Sequence, residues 1–146
     1  MAADPLSGKD TVRSYLDGGL TVEVLGGDSA AGLFRAGDAR GGVAWLTRGE
    51  PFHYLHVVEF RAPGDRRGFH VHQGHDERLY VFSGALKLIA EHDGEKVDLL
   101  LEAGSLVTFV PGVAHGFVAE SHVIAVSFGS GTDPMTDTTP RPDLAA

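Results

Sequence analysis

Residues 64–84 read GDRRGFHVHQGHDERLYVFSG and contain two histidines two positions apart, His70 and His72, followed by Glu77. Because residues two apart on a β-strand point to the same face, this spacing puts both imidazoles on one side of a sheet. A turn after His72 then brings Glu77 back alongside them. The stretch therefore predicts that two imidazoles and a carboxylate converge from two adjoining strands.

A second stretch, Pro111-Gly112-x2-His115, supplies a third histidine. The Pro-Gly pair marks a turn, and His115 follows it at the start of an apolar run. Imidazole and carboxylate groups are the usual protein ligands of several divalent ions. We therefore predict a divalent metal site in a β-barrel, with His70, His72 and His115 among its ligands.

The stretch that follows His72 leaves the fourth ligand open, because it offers both His75 and Glu77. If the strand that carries Glu77 begins early, His75 shares its parity and faces the same cavity. Whichever residue does not bind the ion is then a candidate proton-transfer group. Four protein ligands also leave coordination positions for substrate oxygens, which favours catalysis over a structural role.

Short segments of β-type composition recur between turn signals along most of the chain, which predicts an all-β sandwich or barrel. Asp93-Gly94 is a strong hairpin signal, since a type I′ turn needs positive φ at both central residues. The predicted strands are 20–25, 42–48, 52–60, 68–72, 77–82, 85–91, 96–101, 105–110, 116–119 and 123–128.

The chain divides into an N-terminal arm, residues 1–19, a barrel, residues 20–129, and an extended or disordered tail, residues 130–146. A short helix over residues 10–18, capped by Asp10, is predicted in the arm. Each motif occurs once and no internal repeat is present, which indicates a single domain. An exposed sheet edge in such a domain would most readily pair with a second copy, so we expect a homodimer.

The 146-residue chain carries a formal charge of -8 at pH 7 and has no cluster of basic residues, which argues against a nucleic-acid partner. Cysteine is absent, so thiolate ligands and disulfides are excluded and imidazole, carboxylate and water remain as ligands. The N-terminus lacks an apolar signal region and no run reaches membrane-spanning length. We therefore expect a cytoplasmic protein with no membrane partner.

The two stretches resemble the two motifs of the cupin superfamily. The Gly-His-His-Glu-Gly pattern of the first motif is complete, and in the second Gly104 opens the motif before Pro111, Gly112 and His115. The resemblance covers residues 40–128 and implies a single-domain cupin, a double-stranded β-helix or jelly-roll barrel. It also favours Glu77 as the fourth ligand.

Two positions depart from the cupin pattern. Val110 stands where many members have proline, and Ala119 replaces the customary asparagine. These positions belong to a turn and to the surroundings of the metal, so no ligand is lost. The group that orients the His115 ring is left unidentified.

Within the superfamily, the short layout and the stretch GFHVHQGHDE look most like the monocupin aromatic polyketide cyclases of actinomycetes, of the tetracenomycin and resistomycin type. This resemblance implies a cyclase that closes a ring in a poly-β-ketone by an aldol reaction and aromatises it. We favour zinc, with iron, manganese, nickel and copper as alternatives. The implied partner is a small, hydrophobic, oxygen-rich substrate, in some cases bound to a carrier protein.

The aromatic face of the predicted strand 52–60 supplies further candidates. The opposite face carries Glu59, which an apolar interior would not tolerate, so Tyr54 and His56 are expected to face the ligand. His75, Asp76 or an unbound Glu77 could remove the substrate proton, and His56 or Tyr54 could protonate the new alkoxide. The catalytic candidates are therefore His75, Asp76, Glu77, Tyr54 and His56.

Two other functions fit the same ligands. A dioxygenase would use iron, copper or nickel to bring O2 and a phenol or enol together, and it would consume oxygen during turnover. A non-catalytic binding module would use the ion only to anchor a small molecule, and it would release that molecule unchanged.

Overall fold

The computed structural model describes residues 11–26 and 33–145, and it consists almost entirely of antiparallel strands. Short 3₁₀ turns, Leu16–Gly18 and Pro142–Ala145, are its only helical segments within those ranges. None of the described helices is long and apolar enough to cross a membrane. The strands are β1 Thr11–Tyr15, β2 Leu20–Val24, β3 Phe34–Asp38, β4 Gly41–Trp45, β5 Tyr54–Phe60, β6 Arg66–Val71, β7 Glu77–Ser83, β8 Ala85–His92, β9 Glu95–Glu102, β10 Ser105–Phe109, β11 Ala114–Ala119, β12 Val123–Gly129 and β13 Thr139–Pro140.

The strands form two main sheets that enclose the core. One sheet has six strands in the order β1-β2-β10-β7-β12-β5, and the other has five in the order β13-β6-β11-β8-β9. Strands β3 and β4 form a separate two-stranded hairpin. The expected all-β jelly-roll barrel is confirmed.

Side chains from both sheets meet in one apolar cluster. The six-stranded sheet contributes residues such as Leu79, Val107 and Phe109, and the five-stranded sheet contributes Leu88 and Phe117. These side chains are at most 3% exposed, which places the core between the sheets. Burial of this apolar surface is the main force that holds the two sheets together.

The predicted strands 20–25 to 123–128 each overlap a strand of the structure. The Asp93-Gly94 hairpin is also present, joining β8 to β9 with φ values of 51° and 81° at its two central residues. Positive φ at both positions is what a type I′ turn requires. Strands β1, β3 and β13 were not predicted.

The predicted helix over residues 10–18 is wrong for the part that the structure describes. Thr11–Tyr15 is strand β1, which pairs with β2, and only Leu16–Gly18 turns as a 3₁₀ segment. A run containing threonine, valine and tyrosine suits a strand, and β2 offers it an edge. The proposed cap, Asp10, lies outside the described residues.

The tail predicted as extended or disordered consists, in residues 130–145, of turns, the two-residue strand β13 and a 3₁₀ turn. Thr139–Pro140 pairs with His70 and Val71 of β6, and Leu144 is buried against the five-stranded sheet. Residues beyond the barrel therefore pack against the strand that carries the first metal-site histidine.

Candidate metal centre

Four of the predicted side chains converge on one point between the sheets. The ligand atoms of His70, His72, Glu77 and His115 all lie within 4.8 Å of one another. His70 belongs to β6 and pairs directly with His115 of β11, and His72 follows the end of β6. Glu77 is the first residue of β7, in the opposite sheet. The cluster therefore spans both layers of the barrel.

Backbone carbonyls fix the orientation of two of the rings. Nδ1 of His72 donates to the carbonyl of Asp137 at 2.7 Å, and Nδ1 of His115 donates to the carbonyl of Val113 at 3.0 Å. The Val113 carbonyl thus supplies the orienting bond that Ala119, in place of asparagine, does not. The ring of Phe109 also stacks on His115, with the centroids 4.2 Å apart.

The tautomers that these hydrogen bonds imply leave lone pairs facing one another in the cluster. A carbonyl can only accept, so Nδ1 carries the proton in both rings, and each Nε2 of a neutral ring then presents a lone pair. Those Nε2 atoms lie 3.1 Å (His72) and 3.2 Å (His115) from Oε1 of Glu77, which also presents lone pairs. Attraction between them needs positive charge, either a proton on each ring or one metal ion among them. The donor set therefore fits a divalent ion.

The electrostatics of the cluster favour an ionised carboxylate. Burial alone would raise the pKa of Glu77, but the rings of His115 and His72 outweigh it and hold that pKa well below its usual range. Burial also acts to lower the pKa of His72, but its hydrogen bonds to Glu77 and to the Asp137 carbonyl raise it on balance. For His70, burial and then the neighbouring His115 and His72 rings lower the pKa to about 4. His70 is therefore neutral at pH 7, as a metal ligand must be.

His75 lies beside the cluster and outside it. Its ring centroid is 4.1 Å from that of His72, and its Nδ1 lies 3.2 Å from a carboxylate oxygen of Asp137. Its Nε2 is buried and has no hydrogen-bond partner among residues 11–26 and 33–145. Burial lowers the pKa of His75, so the ring is neutral. Of the two candidates for fourth ligand, the structure groups Glu77 with the histidines and turns His75 towards the tail.

Asp76 also faces the tail. Its carboxylate accepts a hydrogen bond from the backbone N–H of Ser130 at 2.7 Å, and its carbonyl accepts one from the hydroxyl of Tyr54 at 2.9 Å. Neither Asp76 nor His75 lines the cavity beside the cluster. Of the five predicted proton-transfer groups, His75 and Asp76 are therefore turned away from the cavity, whereas Glu77, Tyr54 and His56 line it.

A cavity of 490 Å³ opens next to the cluster, and His70, His72 and Glu77 form part of its wall. Tyr54 and His56 line it as expected, with their rings stacked 5.9 Å apart. Apolar side chains make up much of the remaining wall. They are Val57, Val58, Phe60, Leu79, Phe117, Pro134 and Met135.

Arg67 is the only basic Lys or Arg side chain on this wall within the described residues, and Glu59 and Asp133 are acidic neighbours. Asp133, Pro134, Met135 and Thr138 come from the tail, which sequence reasoning left without a function. Its Gly-, Thr- and Asp-rich composition looks like that of any surface loop, so no local signal marked it.

The model of the cupin domain family matches residues 49–128. The chain belongs to the cupin family. The match includes all four residues of the cluster: His70, His72 and Glu77 from the first motif and His115 from the second. No curated protein matches this cupin.

Several solved structures share the fold of this cupin. The dTDP-4-dehydrorhamnose 3,5-epimerase of Bacillus anthracis superposes with a TM-score of 0.70 at 16% identity, over 90% of this chain and 83% of that one. A 4-keto-6-deoxy sugar epimerase from the novobiocin gene cluster of Streptomyces spheroides gives 0.73 at 16% identity, over 96% and 77%. The sugar 3,4-ketoisomerase of Thermoanaerobacterium thermosaccharolyticum gives 0.68 at 14% identity, over 86% and 90%. At these identities the likeness shows a shared fold.

Proposed function

We propose that this cupin is a metal-dependent enzyme that closes a ring in a poly-β-ketone by an aldol reaction, followed by loss of water and aromatisation. The observation that carries the proposal is that His70, His72 and Glu77 line a largely apolar cavity. His70, His72, Glu77 and His115 would hold a divalent ion at the edge of that cavity. When bound, such an ion would supply Lewis acidity towards a substrate carbonyl group.

His56 is the group best placed to remove the substrate proton. It lines the cavity, whereas His75 and Asp76 do not, and Glu77 is engaged by two imidazoles. In the proposed step, His56 takes a proton from the methylene between two carbonyls. The resulting carbanion forms a carbon–carbon bond to a distant carbonyl carbon, whose oxygen becomes an alkoxide.

Tyr54 is the proposed donor to that alkoxide. Burial, and then the negative charges of Glu77 and Asp76, raise the pKa of Tyr54. The phenol therefore keeps its proton at neutral pH and can give it to a stronger base. The apolar wall holds the flexible chain folded, which removes entropy that uncatalysed ring closure would have to lose.

The shared fold favours a second candidate, a keto-sugar epimerase or ketoisomerase, because the solved structures named above carry these activities. Epimerisation beside a ketone also begins with removal of a proton from the neighbouring carbon. Against a nucleotide-linked substrate stands the charge of the cavity, where Arg67 is the only Lys or Arg on the described wall. A diphosphate is usually bound by several basic groups.

The expected partners follow from this proposal. The substrate is small, hydrophobic and rich in oxygen, and a carrier protein could present it. The homodimer that we expect would form at β5, which is the edge strand of its sheet among residues 11–26 and 33–145 and exposes Leu55 and Val57. An unpaired strand edge of this kind is a template for pairing with a second copy.

The test is an assay of the zinc-loaded protein with a synthetic linear β-polyketone under anaerobic conditions, followed by mass spectrometry. Ring closure with loss of water and without O2 supports the cyclase. Activity only in air, with oxygen uptake, identifies a dioxygenase, and unchanged release of bound polyketone identifies a binding module. Exchange of deuterium from D2O into dTDP-4-keto-6-deoxyglucose, with no reaction of the polyketone, would favour the keto-sugar candidate.

A further inference from the structure

The segment that we call the C-terminal strap, residues 130–141, lies beside the metal centre and is hydrogen-bonded to His72 and to the loop between His72 and Glu77. At its start, Gly131 forms a β-bridge with His75. At its end, Thr139–Pro140 pairs with β6. Both ends of the strap are therefore anchored beside strands that carry ligand residues.

Asp137 lies near the middle of the strap, and its carboxylate is hydrogen-bonded to three residues of the loop. Its carboxylate accepts hydrogen bonds from the backbone N–H groups of Gln73 at 3.1 Å and Gly74 at 2.7 Å. The same carboxylate accepts the hydroxyl of Thr132 and faces Nδ1 of His75 at 3.2 Å. One side chain thus holds the loop, the strap and the His75 ring together.

The backbone of the same residue acts directly on a metal-site ring. The Asp137 carbonyl accepts the Nδ1 proton of His72 at 2.7 Å, which leaves the His72 Nε2 lone pair for the ion. The hydroxyl oxygen of Thr138 lies 3.3 Å from the same nitrogen. The position of this carbonyl depends on where the carboxylate anchors the strap.

The strap and the loop pack closely against each other at two glycines. A Cβ atom added at Gly74 would lie 2.7 Å from Thr132 Cγ2, and one added at Gly131 would lie 2.4 Å from the Gly74 carbonyl oxygen. Contacts this short force neighbouring atoms to move. Asp133, Pro134, Met135 and Thr138 of the strap also form part of the cavity wall.

We infer that Asp137 is a positioning residue of the metal centre: its carboxylate fixes the strap, and the strap's carbonyl holds the His72 ring in the orientation that binds the ion. The inference rests on the metal-binding part of the proposed function and not on ring closure. On this inference, the C-terminal strap helps to orient a metal ligand.

The test uses cobalt(II) alone as the probe, added to the full-length protein after treatment with a chelator. Asp137→Ala should weaken cobalt binding by about 10- to 100-fold, the usual effect of removing a group that orients a metal ligand, and should shift the visible absorption bands of the bound ion. Asp137→Asn keeps an oxygen acceptor for the loop and should recover part of the affinity. The matched control is Asp143→Ala, because Asp143 pairs with Arg141 in the same tail and does not contact the cluster.

Gly74→Ala provides a second variant that keeps the aspartate at position 137 and displaces the strap through contact with Thr132. It should change the cobalt spectrum in the same direction as Asp137→Ala. This comparison separates the position of the strap from the charge of the carboxylate. It also keeps the inference open to test if the Asp137→Ala protein does not fold.

The outcomes separate this inference from the proposed function. Wild-type affinity and wild-type bands in both Asp137→Ala and Gly74→Ala would overturn the role of Asp137 and leave the metal site intact. If the wild-type protein binds no cobalt, both the metal site and the inference fail. Weakened binding in both variants together with failure of the polyketone assay would support the positioning role and reject only the cyclase.

Discussion

Glu77 has the central electrostatic role among the residues of the site. One of its carboxylate oxygens faces the Nε2 atoms of both His72 and His115, at 3.1 and 3.2 Å. Its carboxylate is buried, and a buried carboxylate without positive charge nearby is strongly unfavourable. A cation bound at this cluster would therefore stabilise the folded position of Glu77.

The role of His56 can be tested by His56→Ala. We expect kcat for ring closure to fall by about 10²- to 10⁴-fold, the usual contribution of a general base, while metal content stays at the wild-type level. His122→Ala is the control, since His122 is an exposed histidine paired with Glu59. Unchanged kcat in His56→Ala, with full metal loading, would remove His56 from the mechanism.

The pH dependence of stability follows from His70 in the metal-free protein. Its pKa falls from 6.5 to about 4 on folding, so between these values the unfolded chain binds a proton that the folded chain does not. The contribution of His70 to the free energy of unfolding is present above pH 6.5 and is lost as the pH falls towards 4.

Thermal unfolding in a chelator, from pH 7.5 to pH 4.5, measures this effect. We expect His70→Gln to show a smaller loss of stability than the wild type over the acid part of this range, because glutamine does not titrate. The raised pKa of His72 affects the pH dependence of stability in the opposite direction. His72 is present in both proteins, so the comparison between them reports on His70. Equal slopes for the two proteins would show that His70 is not shifted.

The site residues could be predicted where the alternation of side chains along a strand determines which face they share. His70 and His72 share a strand face and His115 follows a turn signal, so their convergence could be expected from spacing. The choice between His75 and Glu77 could not, because His75 is paired with Gly131, far along the chain. That bridge breaks the parity on which the argument for His75 depended.

Among the elements, the β7–β8 turn depends on Gly84. Its φ is +91°, and a Cβ atom there would lie 2.1 Å from the carbonyl oxygen of His122. This glycine closes the first sequence motif. Its role is therefore to let two backbone segments approach each other beyond the metal site.

Gly84→Ala should lower the free energy of unfolding by about 2–5 kcal/mol, from the left-handed backbone and the steric clash together. Gly94→Ala should cost only about 1–2 kcal/mol, because it shares a positive φ of +81° but has no atom within 4 Å of the added Cβ. Urea-induced unfolding of both variants makes the comparison. Equal losses would show that the close approach at Gly84 does not limit stability.

Elements with clear alternation and turn signals were predictable, including the edge strands β5 and β9, whereas the terminal strands β1 and β13 were not. Strand β1 was mistaken for a helix because its amphipathic character is weak over only five residues, Thr11–Tyr15. Pairing with β2 decides its conformation, and that contact is not visible in local sequence. Strand β13, Thr139–Pro140, has only two residues and exists through its pairing with β6.

For the whole molecule, the fold places the site without determining its chemistry. Ligands from β6, β11 and β7 join the two sheets, so the packed core keeps the four donor groups in register. Cupins and the keto-sugar enzymes named above share this architecture, and one fold can carry many reactions. The tail was the main feature that sequence could not assign, since its role comes from long-range contacts to the ligand loop.

The central claim is that one metal ion, held by this cluster, is required for ring closure. The most direct measurement is an anaerobic titration of the chelator-treated protein with zinc, following bound zinc and cyclisation of the β-polyketone together. We expect cyclisation to rise with bound zinc and to level off at about one ion per chain, as a single four-donor site predicts. His115→Ala should neither bind zinc tightly nor catalyse the reaction. Cyclisation by the metal-free protein at the zinc-loaded rate, or full zinc loading with no cyclisation, would contradict the claim.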